Sequence, residues 1–317
     1  MKVLVSGGAS YIGAWLVPQL LADGHVVTVY DHMLFGNAHL PDNDNCTLIK
    51  ADVRDLTAWA KACEGQDAVI YMASISRELM CQNNEKLAYS VNVESFRPAV
   101  VAARDAGVKR FIYASSVAVY GSSDHEMTEE EPLAPTTIYG RGKAACEAIL
   151  AEYYSGTFCC AVTRSASVCG YSPRQRFDLT LNKMVHDAVR LGEIKVAGGA
   201  QKRSHVSIKD LTRFYRRLLD LPAWRISGHA YNVVEQNQRV KESAMMVARV
   251  VGNTRIDVGP RTDDRSYAVD GTKAQIALDF EPSHSIESAV HDIQVRLEAG
   301  YWKDSLTNPV YQNMAVV

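Results

Sequence analysis

Residues 2–13 carry the feature that most constrains the fold of this chain: an apolar segment, KVLVS, runs directly into the glycine-rich turn GGASYIG. A short apolar run bounded by glycines predicts a buried strand. The residues from about Tyr11 to Ala22 predict a helix that ends at Asp23-Gly24. A strand, a glycine turn and a helix in this order predict the first unit of a dinucleotide-binding fold.

The strand pattern recurs along the first half of the chain. The further predicted strands are VVTVYD (26–31), TLIKAD (47–52), AVIYMAS (68–74) and RFIYASS (110–116). Between them lie helical patterns, the clearest at 56–65 and 85–107. Strands that alternate with helices predict a parallel sheet with right-handed crossovers, so the fold class is α/β, a Rossmann-type doubly wound parallel sheet.

The regular alternation ends after residue 165, which predicts a smaller C-terminal substrate-binding region. A helix is expected near 179–191, and the tail is expected to be extended or frayed. The predicted divisions are an NAD-binding Rossmann domain over 1–165, to which 204–234 returns, a substrate-binding region over 166–203 and 235–300, and a tail over 301–317.

Composition excludes several classes of function. The net charge of −2 and the scattered basic residues argue against nucleic acid as a partner. The seven cysteines form no C-x-x-C pair, so no metal site is expected, and they suit free thiols in a reducing compartment. No apolar run approaches the ~20 residues of a membrane span. We therefore expect a cytoplasmic enzyme or binding protein with no membrane contact.

The glycine turn predicts a phosphate site, although one position departs from the pattern. In G-x-x-G-x-x-G the glycines would stand at Gly7, position 10 and Gly13, but position 10 is Ser10, and Gly8 stands nearby. The first glycine allows the tight turn, the second lets the backbone approach the pyrophosphate, and the third permits close helix packing. We expect Ser10 to alter the phosphate contact without abolishing it.

Two carboxylates follow at the ends of the next strands. Asp31 stands where a carboxylate can accept hydrogen bonds from both ribose hydroxyls, and Asp52 is expected on the adenine side. No arginine or lysine lies between residues 31 and 40 to receive a 2′-phosphate. The predicted cofactor is therefore NAD rather than NADP.

The catalytic candidates come from two motifs. YGRGK places Tyr139 and Lys143 four residues apart on one helical face, where an ammonium favours the tyrosinate form. Ser115 and Ser116 end the strand RFIYASS, and ligands bind at the carboxyl ends of such strands. Ser116 can hydrogen-bond a substrate oxygen while Tyr139 takes or gives its proton.

The segments GGASYIG, ADVRD, YASSVAVYG, YGRGK and SHVSIKDL, in this order and spacing, resemble the extended short-chain dehydrogenase/reductase family. The resemblance is strongest to its NAD-dependent nucleotide-sugar epimerase/dehydratase group and covers residues 2 to about 297. It implies that Tyr139 is the general base, that Lys143 contacts the ribose and tunes the tyrosine, and that Ser116 is the hydroxyl partner. It also implies a nucleotide-diphosphate sugar as substrate.

The resemblance completes the predicted site. The cofactor-binding set is Gly7, Gly8, Ser10, Tyr11, Ile12, Gly13, Asp31, Asp52, Val53, Met72, Ala73, Ser74, Asn92 and Lys143. The substrate-binding set is Ser115, Ser116, Ser167, Asn182, Arg203 and Arg261, in which Asn182 and the two arginines are expected near the diphosphate. The helices at 85–107 and 139–155 are those through which relatives dimerise, so a homodimer is expected.

Departures from the family pattern reduce the number of reactions that the chain could catalyse. Sugar 4,6-dehydratases have an Asp-Glu pair where this chain has Val117 and Ala118, so a dehydratase is disfavoured. Oxidation and re-reduction at one carbon remain: a 4-epimerase, or a 4-dehydrogenase that releases a keto-sugar. Cys169 stands where relatives have an aromatic residue, and packing is favoured over an acid/base role. A non-catalytic NAD-binding regulator of the same fold stays open because of Ser10.

Overall fold

A seven-stranded parallel sheet forms the centre of the fold in the computed structural model, which describes residues 1–261 and 265–313. The strands of the described residues are β1 (Lys2–Ser6), β2 (Val26–Asp31), β3 (Cys46–Lys50), β4 (Ala68–Tyr71), β5 (Arg110–Ser116), β6 (Glu126–Met127), β7 (Cys159–Ser165), β8 (Ser167–Cys169), β9 (Glu193–Ala197), β10 (Lys202–Ser207), β11 (His229–Val233), β12 (Gln236–Arg239), β13 (Arg255–Gly259) and β14 (Ala268–Val269). The large sheet has the order β11-β7-β5-β4-β1-β2-β3. The order reverses between β1 and β4, which is the doubly wound arrangement, and the predicted Rossmann-type fold is confirmed.

Helices cover both faces of this sheet. The helices of the described residues are α1 (Gly13–Ala22), α2 (Leu56–Cys63), α3 (Glu78–Asn83), α4 (Glu85–Tyr89), α5 (Phe96–Asp105), α6 (Ile138–Ala151), α7 (Thr180–Leu191), α8 (Ile208–Asp220), α9 (Ala223–Ile226), α10 (Val240–Val251), α11 (Thr272–Leu278) and α12 (Ile286–Glu298). In β1, Val3 and Val5 pack in one core with α1, α8 and α11, while Leu4 packs in the other with α2, α5 and α6. This two-sided burial explains why the strand is almost wholly apolar.

The C-terminal half adds a third core of its own. Helices α7, α10 and α12 pack together with β9. Strand β10 pairs with β8 in parallel and with β12 in the antiparallel sense, whereas β11 extends the large sheet beside β7. The chain therefore crosses between the two halves more than once, and the predicted domain division stays a prediction.

The predicted long helix over 85–107 is interrupted. The chain forms α4, then a π-helical segment at Ser90–Glu94, then α5. Asn92 lies in this segment, and both polar atoms of its side chain bond the backbone of Ile75. Such a tertiary contact overrides the local helical pattern, and π segments commonly occur beside functional sites.

The tail differs from the extended segment that the sequence predicts. Pro309–Gln312 forms a 3-10 helical turn, and Asn308 Oδ1 accepts a hydrogen bond from the Val310 N–H at 3.1 Å. An asparagine cap followed by proline favours this turn because proline fits the first helical position. The turn packs against the rest of the chain, since the Phe177 N–H donates to the Tyr311 carbonyl at 2.7 Å.

Three observations concern the class of protein and its location in the cell. No helix in the part of the chain that the structure describes has the length and apolar character to cross a membrane. Residues 1–261 and 265–313 hold no group of three or more His, Cys, Asp or Glu side chains suited to a metal ion. All seven cysteines are free thiols, and six of them are buried. The cytoplasmic location stays a prediction.

Candidate active site

The turn between β1 and α1 is shaped by three glycines. Gly7 has a φ of +75°, in the left-handed region that favours glycine. A Cβ on Gly8 would lie 2.9 Å from the Val29 side chain, and a Cβ on Gly13 would lie 2.3 Å from the Gly8 carbonyl oxygen. Because neither distance accommodates a carbon atom, the close passage of the turn between β1, β2 and α1 requires glycine at these positions.

Ser10 fits into this turn as a helix cap. Its Oγ accepts a hydrogen bond from the Gly13 N–H at 3.3 Å, which satisfies one N–H at the start of α1. A hydroxyl has a donor hydrogen besides its acceptor lone pairs, so Ser10 can also donate to a ligand. Ser10, Tyr11 and Ile12 all line the cavity above the turn. The serine therefore preserves the shape of an anion site at the helix N-terminus.

Asp31 ends β2 beside the turn. Its Oδ2 accepts from the Ala9 N–H at 3.0 Å and its Oδ1 from the Met33 N–H at 2.7 Å. Burial raises the pKa of Asp31, while these two N–H groups act in the opposite direction. A carboxylate can accept about four hydrogen bonds, so the fixed Asp31 can still accept from ribose hydroxyls.

Asp52 and Val53 lie further along the same side of the cavity. Arg54 donates to both oxygens of Asp52, at 2.9 and 2.7 Å, and lowers the pKa of that carboxyl. Asp52 is therefore a fixed carboxylate at neutral pH, suited to accept a hydrogen bond from an amino group such as that of adenine.

Three side chains meet on the other side of the cavity. Ser116 is the last residue of β5, Tyr139 is the second residue of α6, and Lys143 follows one helical turn later. The Ser116 side chain lowers the pKa of the Tyr139 phenol. Lys143 Nζ lies 5.5 Å from the centre of the Tyr139 ring and donates to the Ala114 carbonyl at 2.6 Å. The structure thus brings together the three residues that the sequence suggested for catalysis.

The charges around Tyr139 oppose the effect of its burial. Burial raises the pKa of the phenol, whereas the Arg176 guanidinium and the hydrogen bond with Ser116 lower it. Burial also lowers the pKa of Lys143 to about 8, so this side chain is mostly protonated at neutral pH. Arg176 and Ser116 thus act against the burial of Tyr139, but burial is the larger effect and the pKa of the phenol stays above its usual value.

The start of α6 holds Tyr139 in place. Thr137 Oγ1 accepts from the Gly140 N–H at 2.9 Å, which makes Thr137 the helix cap. The two carboxylate oxygens of Glu78 accept from the Ile138 and Tyr139 N–H groups at 3.1 and 3.0 Å. These bonds satisfy the first N–H groups of the helix and fix the backbone that carries the phenol.

A single cavity of about 650 Å³ joins the glycine turn to this group. Its volume lies in the range of about 300–1,000 Å³ expected for ligand sites. The predicted residues that line it are Gly7, Ser10, Tyr11, Ile12, Asp31, Asp52, Val53, Met72, Ala73, Ser74, Ser115, Ser116, Tyr139, Lys143, Ser167 and Arg203. Gly8 and Gly13 lie behind this lining and contribute the shape of the turn.

Comparison with known proteins assigns the family. Residues 3–233 match the profile of the NAD dependent epimerase/dehydratase family. The chain belongs to this family. The protein is therefore an NAD-dependent enzyme of the extended short-chain dehydrogenase/reductase type, and the predicted cofactor is confirmed.

Members of the epimerase/dehydratase family with different activities resemble this chain. The low-salt glycan biosynthesis protein Agl12 of Haloferax volcanii is 28% identical over 309 residues, which cover 92% of this chain and 96% of Agl12. A UDP-glucose 4-epimerase of Mycolicibacterium smegmatis is 29% identical over 308 residues, with 92% and 96% covered. Among solved structures, the dTDP-glucose 4,6-dehydratase DesIV of Streptomyces venezuelae, with NAD bound, has a TM-score of 0.84 at 25% identity and covers 96% of this chain and 99% of DesIV. The similarity supports nucleotide-sugar chemistry of the epimerase type broadly.

The cofactor side of the cavity fits the NAD of this family. At Gly7 the turn passes so close to β4 that a Cβ would lie 3.0 Å from the Ala73 nitrogen. The residues that precede α1 and the carboxylate of Asp31 line the same part of this cavity, and a helix N-terminus and a carboxylate suit a diphosphate and a ribose. Ser6 Oγ accepts from the Met72 and Ala73 N–H groups at 3.2 and 3.3 Å, which holds the second wall of the cofactor side in place.

Two predicted asparagines act on the backbone instead of reaching the cavity. Asn182 is fully buried, and it accepts from the Gly170 N–H at 3.0 Å and donates to the Tyr11 hydroxyl at 3.2 Å. Asn92 accepts from the Ile75 N–H at 2.7 Å and donates to its carbonyl at 3.0 Å. Contact with ligand was expected of both, and the structure instead has them hold loops that line the cavity.

Of the two predicted arginines, one lines the cavity and the other does not. Arg203 lines the cavity with its guanidinium 5.2 Å from the centre of the Tyr267 ring. Arg261 is exposed and does not line the cavity, because its side-chain stem lies against Gly198. Arg265, four residues later, lines the cavity and accepts a hydrogen bond from Arg203 on its carbonyl at 2.5 Å. Spacing along a loop could not distinguish these two arginines.

Two further side chains turn away from the cavity. Ser115 contributes to the lining, but its hydroxyl donates to Glu147 in the interior. The Cys169 thiol is buried, lies 3.6 Å from the Val206 carbonyl, and has a pKa raised by burial. Cys169 is therefore a packing residue, which is the interpretation that the sequence favoured.

Several residues of the lining escaped the sequence analysis. They are Glu78, Arg174, Arg176, Arg265 and Tyr267. Arg174 and Arg176 lie in the loop 170–178, where two arginines close to glycine, serine and proline were a usable signal of a ligand-binding loop. Glu78 gave no signal, because its partners are backbone N–H groups sixty residues away in sequence.

Proposed function

We propose that this protein is an NAD-dependent nucleotide-sugar 4-epimerase, which oxidises and re-reduces C4 of an NDP-hexose or NDP-heptose. The proposal depends on one observation: Ser116 at the end of β5, Tyr139 and Lys143 line the same cavity as the cofactor turn. This arrangement suits removal and return of a hydroxyl proton.

Each of the three residues has one task in that reaction. Ser116 holds the C4 hydroxyl through a hydrogen bond, and Tyr139 removes its proton and later returns it. Lys143 keeps an ammonium near the phenol and is fixed by its bond to the Ala114 carbonyl at 2.6 Å. When bound, NAD accepts and returns the hydride of the same carbon. The fixed geometry matters because proton transfer requires heavy-atom distances of about 2.6–3.2 Å.

The residues after Ser116 argue against dehydration. Val117 is buried at 2% exposure, and Ala118 lines the cavity. Neither side chain can transfer a proton, whereas loss of water across C5 and C6 needs an acid and a base. Two carboxylates that line the cavity already have partners: Glu78 accepts from two helix N–H groups, and Asp178 is paired with Arg176 at 2.6 Å.

The second candidate is a 4-dehydrogenase that releases a keto-sugar and exchanges its cofactor. Ser10 favours it, because a Cβ stands where the backbone would otherwise approach the diphosphate most closely. We expect NAD to bind more weakly and to exchange more readily than in a turn with glycine at position 10. A regulator without catalysis is disfavoured by the assembled Ser116–Tyr139–Lys143 group, since cofactor sensing does not need a tuned phenol.

For the substrate diphosphate, the proposal assigns Arg203 and Arg265. Both line the cavity, and they come from separate segments of the C-terminal half. Guanidinium groups suit phosphate because they offer several N–H donors in a planar fork. Ser167 also lines the cavity and is proposed to face the sugar.

A deuterium label at C4 tests the reaction. Purified protein with NAD is given C4-deuterated UDP-glucose or UDP-galactose, and then a GDP-hexose or GDP-heptose, and the products are followed by NMR and mass spectrometry. A 4-epimer that retains the label, with no NADH accumulation, supports the epimerase. Accumulated labelled NADH and a keto-sugar support the dehydrogenase.

Loss of water with solvent hydrogen at C5 would contradict both candidates. Tyr139→Phe serves as the control: it keeps NAD in the cavity and removes the proton acceptor, so turnover should fall by about 10²-fold or more. Full turnover by this variant would contradict the role of the phenol.

We also propose a homodimer, formed through the helices at 85–107 and 139–155. Support comes from the adjacent placement of α5 and α6, where Arg97 and Glu152 form an exposed ion pair at 2.5 Å. Tyr89, at the end of α4 within the first of these helical segments, is 54% exposed. Light scattering on the purified protein measures the oligomeric state, and a monomeric mass at all concentrations would contradict the proposal.

A further inference from the structure

The segment 75–78, which follows β4, is held by contacts with several other parts of the chain. Asn92 of the π-helical segment bonds both backbone polar groups of its first residue. The hydroxyl of its second residue accepts a hydrogen bond from Arg176 at 3.2 Å. Its third residue, Arg77, donates to the Gln312 carbonyl at 2.9 Å. These contacts hold the backbone of the segment in place, and its fourth residue reaches the helix of the proposed general base.

Glu78 is that fourth residue, and its carboxylate contacts α6 at two points. Its Oε1 accepts from the Ile138 N–H at 3.1 Å and its Oε2 accepts from the Tyr139 N–H at 3.0 Å. Gln82, one turn later in α3, donates to Oε1 at 3.3 Å and holds the same side chain. A negative charge is also favoured at the start of a helix by the helix dipole. The first turn of α6 is therefore attached to a segment that lies sixty residues earlier in the chain.

The cap that α6 provides for itself leaves this task to Glu78. The first four N–H groups of an α-helix have no partner within the helix. Thr137 Oγ1 accepts from the Gly140 N–H, and the Thr137 carbonyl accepts from the Arg141 N–H, both at 2.9 Å. The N–H groups of residues 138 and 139 are those that Glu78 accepts. Hydrogen bonds to an ionised acceptor are stronger than neutral ones, so Glu78 determines where the first turn lies.

The position of this turn determines the position of the phenol. The Tyr139 side chain begins at the backbone that Glu78 holds. The next residue, Gly140, packs against the segment after β5, where a Cβ would lie 2.6 Å from the Ala118 carbonyl oxygen. The turn is thus in contact with one segment that follows β4 and another that follows β5. Because proton transfer needs heavy atoms about 2.6–3.2 Å apart, a small displacement of the turn is sufficient to slow it.

We propose that Glu78 is a positioning residue for the general base: its carboxylate, held by the segment 75–78, sets the distance between the Tyr139 phenol and the substrate hydroxyl. The proposal rests on the role proposed above for Tyr139. Arg77 contributes to it, because its bond to Gln312 attaches the segment to the turn 308–313. That turn is thereby connected to the rate of the chemical step, although it carries none of the reacting groups.

Steady-state kinetics on the full chain, with NAD and the nucleotide sugar that the parent converts, test the proposal. Glu78→Ala removes both acceptors and should lower kcat by about tenfold or more, because a misplacement of about 1 Å can cost about 10² in rate. KM and the NAD affinity in calorimetric titration should stay within about twofold of the parent. Glu78→Gln keeps one acceptor oxygen and should give an intermediate kcat. Glu298→Ala, at an exposed glutamate that likewise accepts from a glutamine, is the matched control and should keep the parent kcat.

The distribution of the effect separates positioning from other roles. A parent-like kcat in Glu78→Ala would overturn the proposal, even if the Tm of the variant falls, because the carboxylate would then only stabilise the fold. A loss confined to KM or to NAD affinity would also overturn it, since the carboxylate would then serve ligand binding.

Fluorine NMR of protein labelled with 3-fluorotyrosine observes the phenol without any turnover. The Tyr139 signal is the one that disappears in Tyr139→Phe. Glu78→Ala should shift this signal, Arg77→Met should shift it less, and Glu298→Ala should leave it in place. An unchanged Tyr139 signal in Glu78→Ala would overturn the proposal. If the signal moves but the parent converts none of the nucleotide sugars, the proposed function fails and the positioning of Tyr139 by Glu78 stands.

Discussion

Gly140, which follows the proposed general base Tyr139, allows a test of how the packing of α6 positions that base. Gly140 and Gly142 lie two residues apart in this helix. A Cβ on Gly140 would lie 2.6 Å from the Ala118 carbonyl oxygen and 2.9 Å from Thr137 Oγ1. A Cβ on Gly142 would lie 3.4 Å from a Val93 methyl group, which is an ordinary contact. Alanine should therefore have opposite effects at these two sites.

The magnitudes follow from these distances. Alanine in place of glycine inside a helix stabilises by about 1 kcal/mol, and this gain applies to both variants. At position 140 the contact with backbone oxygen forces a shift, and such overpacking costs about 1–3 kcal/mol or more. We expect Gly140→Ala to lower the free energy of unfolding by about 1 kcal/mol and Gly142→Ala to raise it by up to about 1 kcal/mol. The shift also moves Tyr139 relative to Ser116, and misplacement of this kind can cost about 10² in rate.

Urea unfolding and turnover, measured side by side, check this reasoning. The expected result is a less stable and much slower Gly140→Ala protein beside a Gly142→Ala protein with turnover close to the parent. Gly156→Ala is the control, because a Cβ there would meet nothing within 4 Å. Equal stability and equal turnover for the variants at 140 and 142 would refute the idea that the Ala118 carbonyl sets the position of Tyr139.

Three further predictions concern charge and the serine of the turn. Ser10→Gly should tighten NAD binding in calorimetric titration and cost roughly a few tenths of a kcal/mol of stability through the lost cap, and equal affinities would contradict the altered phosphate contact. Glu147→Gln removes the carboxylate that pairs with the buried Arg164 at 2.7 Å, and it should lower the free energy of unfolding in urea by about 3–5 kcal/mol. Replacing both residues by apolar ones should lower it much less. The pKa of Lys143 falls from 10.5 to about 8 on folding, so between these values the unfolded chain binds more protons and the free energy of unfolding rises with pH. Lys143→Met should abolish that rise in urea unfolding curves, by up to about 3 kcal/mol, and an unchanged pH dependence would contradict the buried ammonium.

The cofactor side of the site is the part that local sequence predicts well. Gly7, Ser10, Gly13 and Asp31 lie within one strand–turn–helix–strand unit, so their spacing alone brings them together. The same holds for Tyr139 and Lys143, which share one face of α6. Strand and helix periodicity likewise predicted the parallel sheet, because burial on both faces leaves a nearly unbroken apolar pattern.

The residues that local sequence misplaced depend on contacts between distant segments. Asn182 was expected at a diphosphate, but it bonds Tyr11 and the Gly170 backbone in the interior. Arg261 and Arg265 occupy one loop, and only the path of the chain past Gly198 decides which of them reaches the cavity. No period or spacing encodes such choices.

The sequence by itself determined the fold class, the cofactor turn and the placement of Tyr139 and Lys143 on one helix face, because each results from hydrogen bonding and side-chain periodicity within a few residues of chain. Only the tertiary structure decided that the tail turns back to Arg174, that Glu78 caps the helix of Tyr139, and that two donors of the buried Arg174 find no acceptor among the described residues. The physical reason is that burial and unpaired hydrogen-bond donors are properties of the packed chain, set by segments that meet only after folding.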